Sequence, residues 1–258
     1  MKQRIITAVI AGILFVAVAA YGGIPFTLLS IILAVVGYFE LLRMKKMKLF
    51  SFPAGIGLFL VLLIVTGIHI DSLSTMEWFI AAFLLLLSYT VLSKNAFHFD
   101  QATFVVFSAL YAGLGFHYLI EVRSLGNGLV MLFFILFAIW ATDTGGYFAG
   151  SAFGKRKLWP QISPKKTVEG AIGGIVNAML VSIIYQLFFT AYESMEKAII
   201  AALVIGVFSQ LGDLVESALK RHYGAKDSGA ILPGHGGILD RCDSWLFVLP
   251  VLHLLNFI

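Results

Sequence analysis

The stretch ILPGHGGILDRCD, residues 231–243, gathers three glycines, a proline, a histidine, two aspartates and an arginine inside an otherwise strongly apolar chain. Asp240 and Asp243 stand three apart, so on a helix both carboxylates project from one face. Two carboxylates held close repel, and one takes up a proton unless a cation lies between them. Oxygen donors without cysteine or histidine suit a hard cation such as Mg2+. The competing reading is a solvated pair of acids at a helix start, favoured there by the helix dipole. Asp213 follows the apolar run 201–211, and Ser217, four residues on, shares its helical face. An ionised side chain at mid-bilayer costs about 2.5–3.5 kcal/mol, which marks such acids as paired or functional. Asp143 and Glu169 also fall within or at the ends of apolar runs. Glu40 stands beside the basic loop Arg43 to Lys48 and reads as a helix-end acid reaching water, while Glu216 is balanced between water and burial.

Basic groups supply the complementary chemistry. The segment GKRKLWPQISPKK, residues 154–166, holds five of the 18 Lys and Arg residues. Ser163-Pro164 predicts a helix start, serine as cap and proline at the first helical position. Lys165, Lys166 and Thr167 then decorate a first turn whose free amides and dipole attract phosphate. Attraction to anionic lipid headgroups explains the same charges equally well, and Trp159 reads as an interfacial anchor. Gly150 to Lys155 is not a P-loop: the spacing is one residue short, Arg156 stands where Ser or Thr is required, and an all-helical chain offers no strand. Gly170, Gly173 and Gly174 make a small face suited to close helix packing. Gly234 and Gly236 flank His235, and such glycines let backbone amides approach a ligand. A lone histidine is a weak metal signal and is not assigned as a ligand.

These groups must be positioned by elements of an unusual chain. Of its 258 residues 60% are hydrophobic and 12% charged, against about 25% charged in soluble domains. Apolar runs recur along the whole length, and a spanning helix needs roughly 20 such residues. The fold class is all-α, a polytopic integral membrane protein of about nine transmembrane helices; a β-barrel would show short alternating segments. We place the spans near 5–20, 25–42, 52–70, 77–93, 103–120, 128–149, 168–190, 197–216 and 244–258, with breaks at Pro25, Pro53 and Gly126-Asn127-Gly128. With the N-terminus in the cytoplasm, sixteen of the 18 basic residues fall inside, leaving Arg123 and Lys197 outside, as the positive-inside rule requires. Lys2, Arg4 and Ala17-Val18-Ala19 resemble a secretory signal, but the reading keeps this segment as a first span. One cysteine, Cys242, excludes an internal disulfide. Residues 1–125 read as scaffold helices and 126–258 as the catalytic region of one continuous membrane unit, with polar loops on the cytoplasmic side.

The sequence SALKRHYGAKDSGAILPGHGGILDRCD, residues 217–243, resembles the signature of the phosphatidate cytidylyltransferase (CDP-diacylglycerol synthase) family. The resemblance rests on Ser217, Lys220-Arg221, Lys226-Asp227, Pro233, His235-Gly236-Gly237, Asp240-Arg241 and Asp243, with SPKKTVEG at 163–170 as a second segment. Cys242 stands where the family more usually has an aliphatic residue. The resemblance implies a membrane enzyme joining phosphatidic acid to CTP, with Mg2+ and a second cation as candidate cofactors. It implies Asp213, Asp240 and Asp243 as metal ligands with Asp143 in support, and Lys226, Asp227 and Arg241 as catalytic residues. Substrate contacts would come from Lys165, Lys166, Thr167, Ser217, Lys220, Arg221, Gly234, His235, Gly236 and Gly237. The implied partners are CTP, phosphatidic acid and membrane lipids, with no nucleic acid and a homodimer as candidate assembly. The implied location is the inner cell membrane, active site facing the cytoplasm. The rivals are an ion-coupled transporter, which predicts flux without pyrophosphate release, another CTP-dependent lipid-phosphate enzyme, and a non-catalytic scaffold.

Overall fold

Without water, backbone N–H and C=O groups are satisfied within a segment only by a helix, and among the described residues the long apolar runs form helices. The computed structural model describes residues 2–67 and 74–258, and among them are nine α-helices and one β-hairpin. The helices are α1 (Lys2–Tyr21), α2 (Gly23–Met44), α3 (Phe52–Thr66), α4 (Thr75–Leu92), α5 (Phe99–Ser124), α6 (Gly128–Phe153), α7 (Val168–Phe188), α8 (Met195–His222) and α9 (Leu239–Leu254). Six of them, α2 and α4 to α8, are long and apolar enough to cross a membrane; Ile6–Tyr21 and Phe52–Thr66 are shorter apolar helices. The chain is a membrane protein. Positions 68–70 of the expected third span lie outside the described residues.

The expected helix start at Ser163 fails. Ser163 does not cap a helix. Residues Ser163–Thr167 form β2, antiparallel to β1 (Lys157–Trp159), with Lys157 opposite Thr167 and Trp159 opposite Ser163. Helix α7 begins at Val168, capped by Thr167, whose Oγ1 accepts from the Gly170 amide at 3.1 Å. Both SPKK and TVEG carry a capping residue, and tertiary pairing selects the second. Glu169 fixes the choice from the first turn of α7: its carboxylate accepts the amides of Lys155 at 3.0 Å and Arg156 at 3.2 Å, closing the base of the hairpin. No P-loop results, since a helix precedes the glycines and a hairpin follows them.

Small residues set helix spacing where no hydrophobic drive separates protein from lipid. Helices α6 and α7 lie against each other along much of their length. A Cβ at Gly173 would collide with Ala149, and one at Gly170 would come within 2.8 Å of the Gly146 carbonyl. Asn177 donates across the seam to the Ala141 carbonyl at 2.8 Å. Gly173→Leu is expected to wedge the two helices apart and to destabilise the protein by about 1–3 kcal/mol or more. A thermal midpoint equal to wild type in detergent would refute this account of the seam. Helices α8 and α9 approach in the same way: a Cβ on Gly212 would sit 2.8 Å from the Asp243 carbonyl.

At the far end of α5, Arg123 donates from Nε to the Ala19 carbonyl at 2.6 Å and from Nη2 to that of Ala20 at 3.2 Å. It therefore closes the C-terminal end of α1, where a cation meets orphan carbonyls and the negative dipole end. Phe15 of α1 packs on Trp245 of α9 at 5.3 Å between ring centroids, so α1 is built into the bundle.

Candidate active site

The C-terminal ends of α6 and α8, the start of α9, the hairpin and the first turn of α7 surround a cavity of about 770 Å3. Asp143, Lys165, Lys166, Thr167, Asp213, Lys220, Asp227, Asp240, Arg241 and Asp243 all line it. Segments up to a hundred residues apart thus deliver the expected groups to one place. Trp140, Tyr147 and Leu158 add an apolar part of the wall.

The acids do not pair as their spacing suggests. Helix α9 begins early enough for Asp240 and Asp243 to share its first two turns, yet Asp240 is tied elsewhere. Its Oδ1 accepts from Lys220 Nζ at 2.7 Å, and its Oδ2 from the amides of Ser228 and Gly237, each at 2.8 Å. Asp243 instead lines the cavity together with Asp213 and Asp143, which reach it from α8 and α6. Gly212 explains the approach, because its missing side chain lets the backbone of α9 come down beside Asp213. Lys166 forms an ion pair with Asp213, and Ser217 Oγ lies 3.3 Å from Asp213 Oδ1.

Lys220 is the hub of the inner wall. Its ammonium sits 2.5 Å from Glu216 Oε2 and 2.7 Å from Asp240 Oδ1. The balance over Glu216 falls to burial: its side chain is 1% exposed, and Oε1 has no hydrogen-bond partner. Ser209 Oγ and Tyr111 Oη are likewise buried without a partner.

The expectation for Glu40 is wrong. It is 3% exposed and does not reach water. Its carboxylate accepts the amides of Ile238 at 2.9 Å and Leu239 at 3.0 Å, and Ser228 Oγ lies 3.0 Å away. The nearby basic loop made a solvated acid plausible, but the side chain turns inward to the start of α9. No sequence spacing signals a partner some two hundred residues away; only the cost of an acid inside an apolar run does.

Other expected residues are present but outside the cavity lining. Lys226 is exposed. Arg221 donates from Nε to the Ile162 carbonyl at 3.4 Å, tying α8 to the hairpin turn. Gly234 and Gly236 take left-handed φ values of 79° and 87°, and the Leu232 amide donates to the Gly236 carbonyl across this tight turn. The glycines serve close approach to protein groups rather than to the cavity: a Cβ on Gly236 would meet Asp240 Oδ2 at 2.5 Å, and one on Gly237 would collide with Ser228 and Glu40. His235 keeps the loop folded, its carbonyl accepting from Arg241 Nη2 at 2.9 Å, while its ring Nδ1 is buried without a partner.

Fold and cavity together define a class: a membrane protein whose mixed carboxylate and ammonium site lies at one end of a helix bundle, chemistry suited to phosphates. The family model described as the cytidylyltransferase family matches residues 2–258. A phosphatidate cytidylyltransferase of Bacillus subtilis is 52% identical over 99% of this chain and 97% of its own length. Phosphatidate cytidylyltransferases of Staphylococcus saprophyticus and Staphylococcus epidermidis are 46% and 44% identical, each over 99% of this chain and 98% of their own. The chain belongs to the cytidylyltransferase family.

Proposed function

We propose that this protein transfers a cytidylyl group from CTP to phosphatidic acid, forming CDP-diacylglycerol and pyrophosphate. The observation that carries the reading is the single cavity in which Asp143, Asp213 and Asp243 meet Lys165, Lys166 and Arg241 at the end of a membrane bundle. The names of the relatives support the substrates.

In this reaction a phosphate oxygen of the lipid attacks the α-phosphorus of CTP. The bond from that phosphorus to the bridging oxygen breaks, and pyrophosphate leaves with the electron pair. The nucleophile is already anionic near neutral pH, so no strong general base is required. The difficulty is repulsion between two anions, which fixed cations relieve. Lys165 and Lys166 bring ammonium groups from the hairpin toward the triphosphate. Arg241, at the start of α9, offers its guanidinium to the same anions. Asp227 stays with them as a lining residue, and Lys220 holds Asp240 in place.

The donor set suits Mg2+. Every candidate ligand is a carboxylate oxygen, and Mg2+ characteristically binds through one or two carboxylates plus substrate phosphates. A closed protein cage is therefore not expected, and among the described residues no three acidic, histidine or cysteine side chains converge into one. Asp213 and Asp243, with Asp143 beside them, would hold the ion; the lone pairs of Asp240 are engaged by Lys220, Ser228 and Gly237. An ion held there would supply positive charge against the phosphate oxygens of the two reactants.

Lys165, Lys166, Lys220 and Arg241 line the cavity at one end of the bundle, which supports a cytoplasmic orientation in the cell membrane. That orientation brings CTP and the lipid headgroup to the same opening. Purified protein given labelled CTP and phosphatidic acid should release pyrophosphate and form a CDP-lipid, and chelation of Mg2+ should stop both. Ion flux into liposomes without pyrophosphate release would establish the transporter instead.

A further inference from the structure

We propose that Glu40 is a positioning residue: a buried carboxylate on α2 that caps α9 in trans and thereby sets the register of the catalytic loop 228–240. The catalytic consequence rests on the function proposed above; the structural latch does not.

Helix α9 has no cap of its own. Ile238, at its N-cap position, carries no side-chain acceptor, and the first amides of a helix need partners from elsewhere. Glu40 supplies them, one carboxylate oxygen for each of the amides of Ile238 and Leu239. Its negative charge also lies where the helix dipole favours it. Ser228 supplies a third donor. Ser228 Oγ lies 3.0 Å from Glu40 Oε2 and 2.9 Å from Asp240 Oδ2, so its one proton is shared between the latch and the cavity wall.

The surrounding chain is shaped to admit this side chain. A Cβ on Gly229 would come within 2.5 Å of Glu40 Oε1, and one on Gly237 would collide with it. One turn back on α2, a Cβ on Gly37 would press on Leu239 at 3.0 Å. The glycines on both sides of the loop thus serve a residue contributed by the scaffold half. Asp240 follows Leu239 directly and Asp243 lies one turn further, so the latch fixes the helix start that carries both into the cavity.

Cys242 provides a reading that needs no activity. It is the only cysteine, lies in the same first turns of α9 and is 4% exposed. Its thiol is protected from reagents while the turn is docked. In Glu40→Gln one oxygen becomes an NH2 group, and in either orientation it faces a backbone N–H that it cannot accept.

The experiment uses full-length protein in detergent. Maleimide modification of Cys242, thermal midpoint, kcat and KM for CTP are measured for wild type, Glu40→Gln and Ser228→Ala. For Glu40→Gln, labelling should accelerate roughly tenfold through local opening. Its kcat should fall roughly 30-fold, because small displacements of catalytic groups are costly. KM for CTP should stay within about threefold, since the hairpin lysines are untouched. Ser228→Ala should move labelling and kcat in the same direction by about threefold, having lost one of three donors. Wild-type labelling and wild-type kcat in Glu40→Gln would overturn the proposal, as would the same result in Ser228→Ala should the glutamine variant not accumulate. A fall in kcat matched by an equal rise in KM, with Cys242 still protected, would also overturn it. A wild-type protein inactive toward CTP would remove the proposed function while leaving the thiol reading as the test of the latch.

Discussion

Asp243→Asn should yield a protein that folds at least as well as wild type and turns over CTP with kcat/KM lower by roughly 10^2- to 10^3-fold. The two effects have one origin. Asp243 lines the same cavity as Asp213 and Asp143, so like charges are held around one space. An asparagine fills the same volume and removes one of the charges, which relieves the repulsion and raises or preserves the thermal midpoint. Active sites commonly hold such unfavourable charge for function at the expense of stability. The same substitution removes an oxygen donor from the place where a divalent cation and the triphosphate would meet. Asp240→Asn offers a contrast. Its carboxylate is bound by Lys220, Ser228 and Gly237, so stability and activity should fall together. Differential scanning fluorimetry beside the labelled-CTP assay separates the cases. Full turnover in Asp243→Asn would end the assignment of this residue to the reacting phosphates.

Lys220→Met should be the most damaging single change for stability, costing about 3–5 kcal/mol. The methionine keeps most of the side-chain volume, so the loss is one of charge. Without the ammonium, Glu216 at 1% exposure and the Oδ1 of Asp240, a side chain at 7%, both lose their cation, and only Asp240 keeps other donors, the amides of Ser228 and Gly237. Breaking a buried ion group by removing one partner is far worse than removing both. Lys220→Met combined with Glu216→Gln should therefore recover a measurable part of the lost stability, a coupling that a double-mutant cycle reads directly. Strict additivity of the two losses would mean that the three groups do not act as a unit. Activity should stay low in the double mutant, because Asp240 still lacks the contact that holds its Oδ1.

Much of the molecule is legible without coordinates. The helical segments are visible because backbone groups in lipid have few alternatives to a helix, and their ends are punctuated by Ser51-Phe52-Pro53 and Gly126-Asn127-Gly128. The small face Gly170, Gly173 and Gly174 is also readable, since only close packing gives a bundle a use for it. The hairpin is not. Two strands of three and five residues are too short for periodicity to register, and SPKK carries a genuine helix-start signal. Pairing with Lys157 to Trp159 and the Glu169 carboxylate outweigh that signal, and both come from outside the segment.

The sequence alone determined a helical membrane protein and the end of its bundle where acids and bases gather, because hydrophobicity, helix length and charge bias are local quantities summed along the chain. Tertiary structure decided which charge meets which. Asp240 finds Lys220 from α8, Asp243 comes to one cavity with Asp213 and Asp143, and Glu40 crosses from α2 to cap α9. Spacing along one helix follows from the 3.6-residue repeat. A meeting between helices depends on how far each rotates and slides against its neighbours, which contacts such as Gly212 against Asp243 and Gly37 against Leu239 fix only once the bundle is assembled.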